Sequence, residues 1–143
     1  MEGKNIVIEY RSAGGKPDQL AGLAAELVHL KVDLIVSSGP TATPAAKEAT
    51  STIPIVMGFD SDPVANGFVT SLARPGRNIT GLSTLYPEIS GKQLELLKEI
   101  VPKLSRVAVF WAAVTSGDAQ AKKEAELAAL GIRLQYLDVR FNT

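Results

Sequence analysis

Two successive apolar strands within residues 32–63, each ending in a small polar loop, constrain this chain more than any other feature. Val32-Asp33-Leu34-Ile35-Val36 runs into Ser37-Ser38-Gly39-Pro40-Thr41-Ala42-Thr43-Pro44, and Ile53-Pro54-Ile55-Val56-Met57 runs into Gly58-Phe59-Asp60-Ser61-Asp62-Pro63. In an open parallel α/β sheet, loops at the carboxyl ends of the strands line the ligand crevice. The segment therefore predicts both a parallel sheet and a binding edge.

The rest of the chain alternates in the same way. Residues 5–10 (NIVIEY) read as a strand and 11–16 as a polar, Gly-rich loop; Pro17 suits the first turn of a helix. Leu20, Leu23, Ala24, Leu27 and Val28 form the apolar face of that helix. A short helix is expected over 63–72, a turn at 74–78 (RPGRN) and a strand at 79–83. Ser90 and Gln93 have capping-box spacing, and behind them Leu94, Leu97, Val101 and Leu104 share a face. A strand over 107–111, an Ala-rich helix over 118–130 stopped by Gly131, and an alternating strand over 132–139 complete the pattern. Strand and helix alternating about five times predict an α/β fold with a parallel sheet and helices on both faces.

Candidate chemistry is sparse. The loop 37–43 precedes a helix, with Thr43 the expected cap and Pro44 the first helical residue; its N–H groups and hydroxyls suit a carboxylate or phosphate, and equally suit plain capping. No Gly-Lys-Ser/Thr follows the glycine and no GxGxxG occurs, so nucleotide binding has no support. Asp60 and Asp62 form a single DxD before Pro63, better suited to a turn or a ligand hydrogen bond than to Mg²⁺ or a phospho-acceptor. His29 lies beside an apolar helix face and reads as a surface residue, so no base and nucleophile can be paired. Trp111 ends an apolar strand and packs or stacks on a ligand, while Tyr86, next to Pro87, is placed toward a cleft.

Composition narrows the classes further. Lys+Arg and Asp+Glu number 15 each in 143 residues, which lacks the basic footprint of a nucleic-acid or membrane-surface binder. There is no cysteine and only one histidine, which excludes disulfides, thiolate sites and His-rich metal sites. No apolar run approaches the ~18 residues of a membrane span, and no signal-peptide core precedes the first strand. As written, the chain is expected in the cytoplasm.

Several long blocks carry a resemblance: EGKNIVIEYRSAGGKPDQL, LAAELVHLKVDLIVSSG, AAKEATSTIPIVM, DPVANGFVTSLARPGRNITGLST and SGKQLELLKEIVPKLSRVAVFW. Together they resemble the ABC transporter substrate-binding family of the tryptophan/tyrosine type, over residues 2 to 140. The resemblance implies a Rossmann-like three-layer sandwich of the type I periplasmic binding protein kind, in which two lobes close on a small solute such as an amino acid. It also implies an internal piece of such a protein: residues 1–86 as most of lobe one, lacking its first strand–helix unit, and 87–143 as the crossover and start of lobe two.

By position, the resemblance assigns the ligand's carboxylate to Ser38, Gly39, Pro40 and Thr41. The second lobe-one loop is Phe59, Asp60, Ser61 and Asp62, and Ser83 and Thr84 enter the crossover. The loop 112–116 lacks the Asn and Pro usual in the family, which removes a polar contact from the lobe-two side. No catalysis, cofactor or metal is implied. The full-length family is periplasmic or lipid-anchored and works with an ABC permease. Without the first strand, the remaining strands either close into one sheet or exchange elements with a second chain, which predicts a homo-oligomer or domain-swapped dimer. A ligand-sensing regulatory domain and a non-binding structural fragment are the rival readings, and an enzyme built on Asp60 and Asp62 comes third.

Overall fold

The computed structural model describes residues 5–84, 86–111, 122, 125, 126 and 131–138, the side chains of 86–88, 111 and 138 excepted. A 3-10 turn at Pro17–Gln19, with proline in its first turn, leads into helix α1, Leu20–His29. Lys31, at φ 54°, turns the chain out of α1 into strand β1, Ile35–Ser37. Helix α2 (Gly39–Ala49), strand β2 (Ile55–Asp60) and strand β3 (Ile79–Ser83) follow. Helix α3 spans Tyr86–Ile100, and strands β4 (Arg106–Trp111) and β5 (Arg133–Asp138) come last.

All described pairing is parallel, as the alternation predicts. The strands form a three-stranded sheet, β1-β2-β3, and a two-stranded sheet, β4-β5. Register in the first sheet aligns Ile35 with Ile55 and Ile55 with Ile79. That isoleucine row is 4%, 0% and 2% exposed. With Ala46 of α2, Met57, Phe68 and Val69 it forms the core, flanked by Leu27, Val28, Val32 and Ile53. Each such side chain contributes roughly 1.5–3 kcal/mol by leaving water. The next row is Val36, Val56 and Thr80, on the opposite face.

Two side-chain devices hold the first sheet's amino end. Asn78 Nδ2 donates to the carbonyls of Thr50 (3.3 Å) and Ile53 (2.9 Å), tying the end of α2 to the starts of β2 and β3. Thr50 Oγ1 accepts from the Thr52 and Ile53 amides. On β3, Gly81 (φ 152°) passes so close to Met57 that a Cβ there would collide with the Met57 carbonyl. At the surface, Arg11 Nε donates to Glu26 at 2.8 Å and anchors the 5–16 segment to α1. That bond, opposed by partial desolvation and aided by Glu9, holds the guanidinium above its ordinary value.

Five expectations are corrected. Residues 5–10 carry a strand pattern but, beyond a bridge at Ile6, form no described ladder; apolar alternation makes a strand only where a partner supplies the hydrogen bonds. Helix α2 starts at Gly39 rather than Pro44, because Pro40 fits its first turn and the Ser38 carbonyl opens the ladder, so Thr43 lies inside. Residues 63–72 are successive turns, not a helix: Phe68 and Val69 both donate to the Pro63 carbonyl, and Gly67 at φ 70° ends the single helical turn. Helix α3 begins at Tyr86, so Ser90 sits within it and not at the cap position. Among the described residues the strands form two sheets, so of the two alternatives the closure into a single sheet is not seen. The expected helix at 118–130 and the loop at 112–116 fall largely or wholly outside the described residues.

Candidate functional site

The carboxyl ends of β1, β2 and β3 meet at one edge of the sheet. β2 runs three residues further than its apolar pattern, to Asp60, across a register irregularity between Met57 and Asp60. That extension carries Phe59 over the start of α2. The Phe59 Cζ lies 2.9 Å from where a Cβ on Gly39 would be, and Gly39 adopts φ 77°. Only glycine both accepts that backbone conformation and leaves room for the ring. Phe59 remains 48% exposed, so one face of the aromatic ring is open to solvent beside the helix N-terminus.

Helix α2 begins without a side-chain cap: Ser38, in an extended conformation, makes no capping hydrogen bond. The first-turn N–H groups of a helix have no intrahelical acceptor and lie at the positive end of its dipole, while Pro40 has no N–H to offer. Behind them Thr43 Oγ1 donates to the Gly39 carbonyl at 3.0 Å and bonds Ser37 Oγ at 2.9 Å. Thr43 is fully buried, so this pair fixes the loop from below instead of capping the helix. Ser38 and Thr41 are exposed, Pro40 half-buried and Gly39 buried.

Asp60 is the structural hinge pin of the edge. It is 0% exposed, and its Oδ1 accepts from the Asp62 amide (2.9 Å) and from Asn66 Nδ2 (2.8 Å). Its backbone carbonyl accepts from the Thr84 amide at 2.9 Å and, more weakly, from Thr84 Oγ1. Asp62 Oδ1 in turn accepts from the Ala65 amide, which starts the helical turn after Pro63. The two aspartates therefore point into loop hydrogen bonds, and the residues they organise form the edge. Among the described residues no group of three or more His, Cys, Asp or Glu could hold a metal ion.

The expected site residues are thus brought together, in two layers. Phe59, Ser38 and Thr41 are exposed; Asp62 and Ser61 are half-buried, with Asp62 Oδ1 held by the Ala65 amide and the Ser61 hydroxyl turned inward; Gly39 and Asp60 are buried beneath; Ser83 pairs beside Asp60 and Thr84 is exposed at the rim. His29 is exposed, as expected of a surface histidine. The side chains of Tyr86 and Trp111 lie outside the description. Sequence reasoning missed Asn66 and the Gly39–Phe59 contact. An Asn six residues beyond Asp60 follows no motif, and a ring over a glycine is a contact between loops rather than a spacing.

The sequence pattern of the ABC transporter substrate binding protein family matches residues 1–139. The chain belongs to the ABC transporter substrate-binding protein family. It is similar to the tyrosine-binding protein of Clostridioides difficile strain R20291, at 37% identity over 110 residues, 77% of this chain and 31% of the relative. A conserved domain protein from Vibrio cholerae superposes with a TM-score of 0.86 at 33% identity, over 96% of this chain and 47% of that one. The ABC domain in complex with L-Trp from Streptococcus pneumoniae shares the fold, with a TM-score of 0.83 at 24% identity over 94% of this chain and 46% of that one. The chain therefore spans about half the length of those solved structures and about a third of the curated relative. Its family is one of substrate-binding proteins. No helix among its described residues is long and apolar enough to cross a membrane.

Proposed function

We propose that this chain forms one wall of an amino-acid cleft in the solute-binding component of an ABC importer, with an aromatic amino acid as the preferred solute. The observation that carries the reading is the half-exposed Phe59 ring lying against Gly39 at the uncapped start of α2. A helix N-terminus favours a carboxylate, and an open ring face favours a second aromatic ring by offset or edge-to-face contact. The relative at 37% identity is named for tyrosine binding, which fits the same chemistry. In this reading Ser38, Gly39 and Thr41 take the carboxylate, Phe59 the side chain, and Ser61, Asp62, Ser83 and Thr84 the rim. Pro40 and Asp60 hold the geometry.

The division of the strands into two sheets supports residues 1–86 as most of lobe one and 87–143 as the crossover and start of lobe two. An ABC permease, an extracytoplasmic location and self-association into an oligomer or swapped dimer belong to this proposal. Calorimetric titration with Tyr, Trp and Phe tests it. Saturable heats are expected, with Phe59→Ala weakening binding about tenfold, the size of one aromatic contact. Flat heats from a cooperatively folded chain overturn it and favour the second reading, a fold-bearing piece without a competent cleft, which the half-length coverage of the solved relatives supports.

A further inference from the structure

The sheet's opposite end carries a second cavity, of about 380 Å³, lined by Lys47, Thr50, Ser51, Arg77, Asn78 and Ile79. Its lining holds two cations and no acid. Arg77 is exposed and makes no ion pair or side-chain hydrogen bond, and the Ser51 hydroxyl is likewise uncommitted among the described residues. Lys47 Nζ spends one N–H on the Gly67 carbonyl (3.0 Å) and lies 6.0 Å from the Phe68 ring centre, which leaves two N–H groups. The end of α2 opposes an anion here, an effect that the two cations must outweigh; two of the nearby carbonyls are engaged, Ala46 by the Thr50 amide and Thr50 by Asn78. The Asn78 amide is used up on Thr50 and Ile53 and frames the cavity without addressing a ligand.

We propose that this cavity binds a phosphate-type oxyanion, free or as a monoester. Arg77 would grip two oxygens through its planar fork, Lys47 would supply a point charge, and Ser51 a neutral hydrogen bond. The site shares no residue with the carboxyl-edge cleft, so the two are separable.

Titration of the intact chain with inorganic phosphate at low salt tests the proposal, followed by calorimetry or phosphorus NMR. Saturable binding is expected, weakened about tenfold by Arg77→Gln and progressively by added NaCl. Arg77 makes no ion pair or side-chain hydrogen bond among the described residues, so Arg77→Gln should keep the wild-type unfolding transition and any tyrosine binding. A parallel arm uses phosphatidic acid vesicles against phosphatidylcholine vesicles. Arg77-dependent binding to the former assigns the oxyanion to a lipid headgroup; binding of free phosphate alone assigns a soluble ligand. Absence of both, or equal binding by wild type and Arg77→Gln, overturns the site.

Discussion

The two faces of the three-stranded sheet differ sharply although they are built from alternate residues of the same strands. On one face Ile35, Ile55 and Ile79 stack in register under α2 and are almost wholly shielded. On the other, one residue along, Val36 is 69% exposed and Leu82 68%. Parallel sheets ordinarily cover both faces. The contrast shows that an apolar side chain contributes where a neighbouring element removes it from water: among the described residues the same hydrophobic run yields a core on one side and, on the other, a row from exposed Val36 to half-buried Val56.

Substitutions on the two faces should therefore separate widely. Ile55→Ala, on the shielded row, should lower unfolding free energy by about 2–5 kcal/mol in a denaturant titration. A loss under 1 kcal/mol would mean that the row is not packed as described. Gly81→Ala, where β3 crosses closest to Met57, should cost about 3 kcal/mol through forced backbone strain at a positive φ. Thr43→Val keeps the volume but removes the bond to Ser37, leaving a buried hydroxyl without its partner, and should cost about 1–2 kcal/mol. On the bare face, Val36→Lys should stay within about 0.5 kcal/mol of wild type. Marked destabilisation by that lysine would place a hidden covering element over Val36.

How much of this was legible follows the same logic. The strands at 79–83 and 107–111, the helix over Leu20, Leu23, Ala24, Leu27 and Val28, and the parallel sense of the sheet could be read because their signals are periodic and local. The start of α2 was misplaced because Pro40 and Pro44 each fit a first turn, and spacing alone does not choose between them. Asp60 read as part of a loop because its pairing with β3 and its bond to Thr84 link residues 23 or more positions apart, beyond any window of periodicity, and its bond to Asn66 follows no periodic spacing. Residues 5–10 failed for the opposite reason: their local pattern is sound, and the partner that would make it a strand is not local.

The two-stranded sheet offers the mildest version of the comparison. Leu134 and Tyr136 are half-buried, while Leu137 on the alternate face is half-exposed. Burial, reinforced by the negative charge of Glu126, holds the Tyr136 phenol above its ordinary value. The folded chain thus keeps this proton longer than the unfolded chain as pH rises. The contribution is intact below the unfolded phenol value of about 10 and is lost as pH climbs through the raised folded value. Urea midpoints should accordingly fall by a small amount between neutral and strongly alkaline pH, and Tyr136→Phe should flatten that part of the slope. An unchanged slope in the variant would remove Tyr136 from the account.

The Asn78 side chain reaches carbonyls 28 and 25 residues earlier, and the Asn78 carbonyl accepts the Ile55 amide at 2.8 Å. One residue thus closes two long chain segments at once, after the entropy of bringing their ends together has been spent. The three strands consequently have no order in which they can loosen one by one from this end. In a hydrogen-exchange experiment the amides of Ile35, bonded to Pro54, and Ile55, bonded to Asn78, should open together, with one shared free energy, as a single cooperative unit.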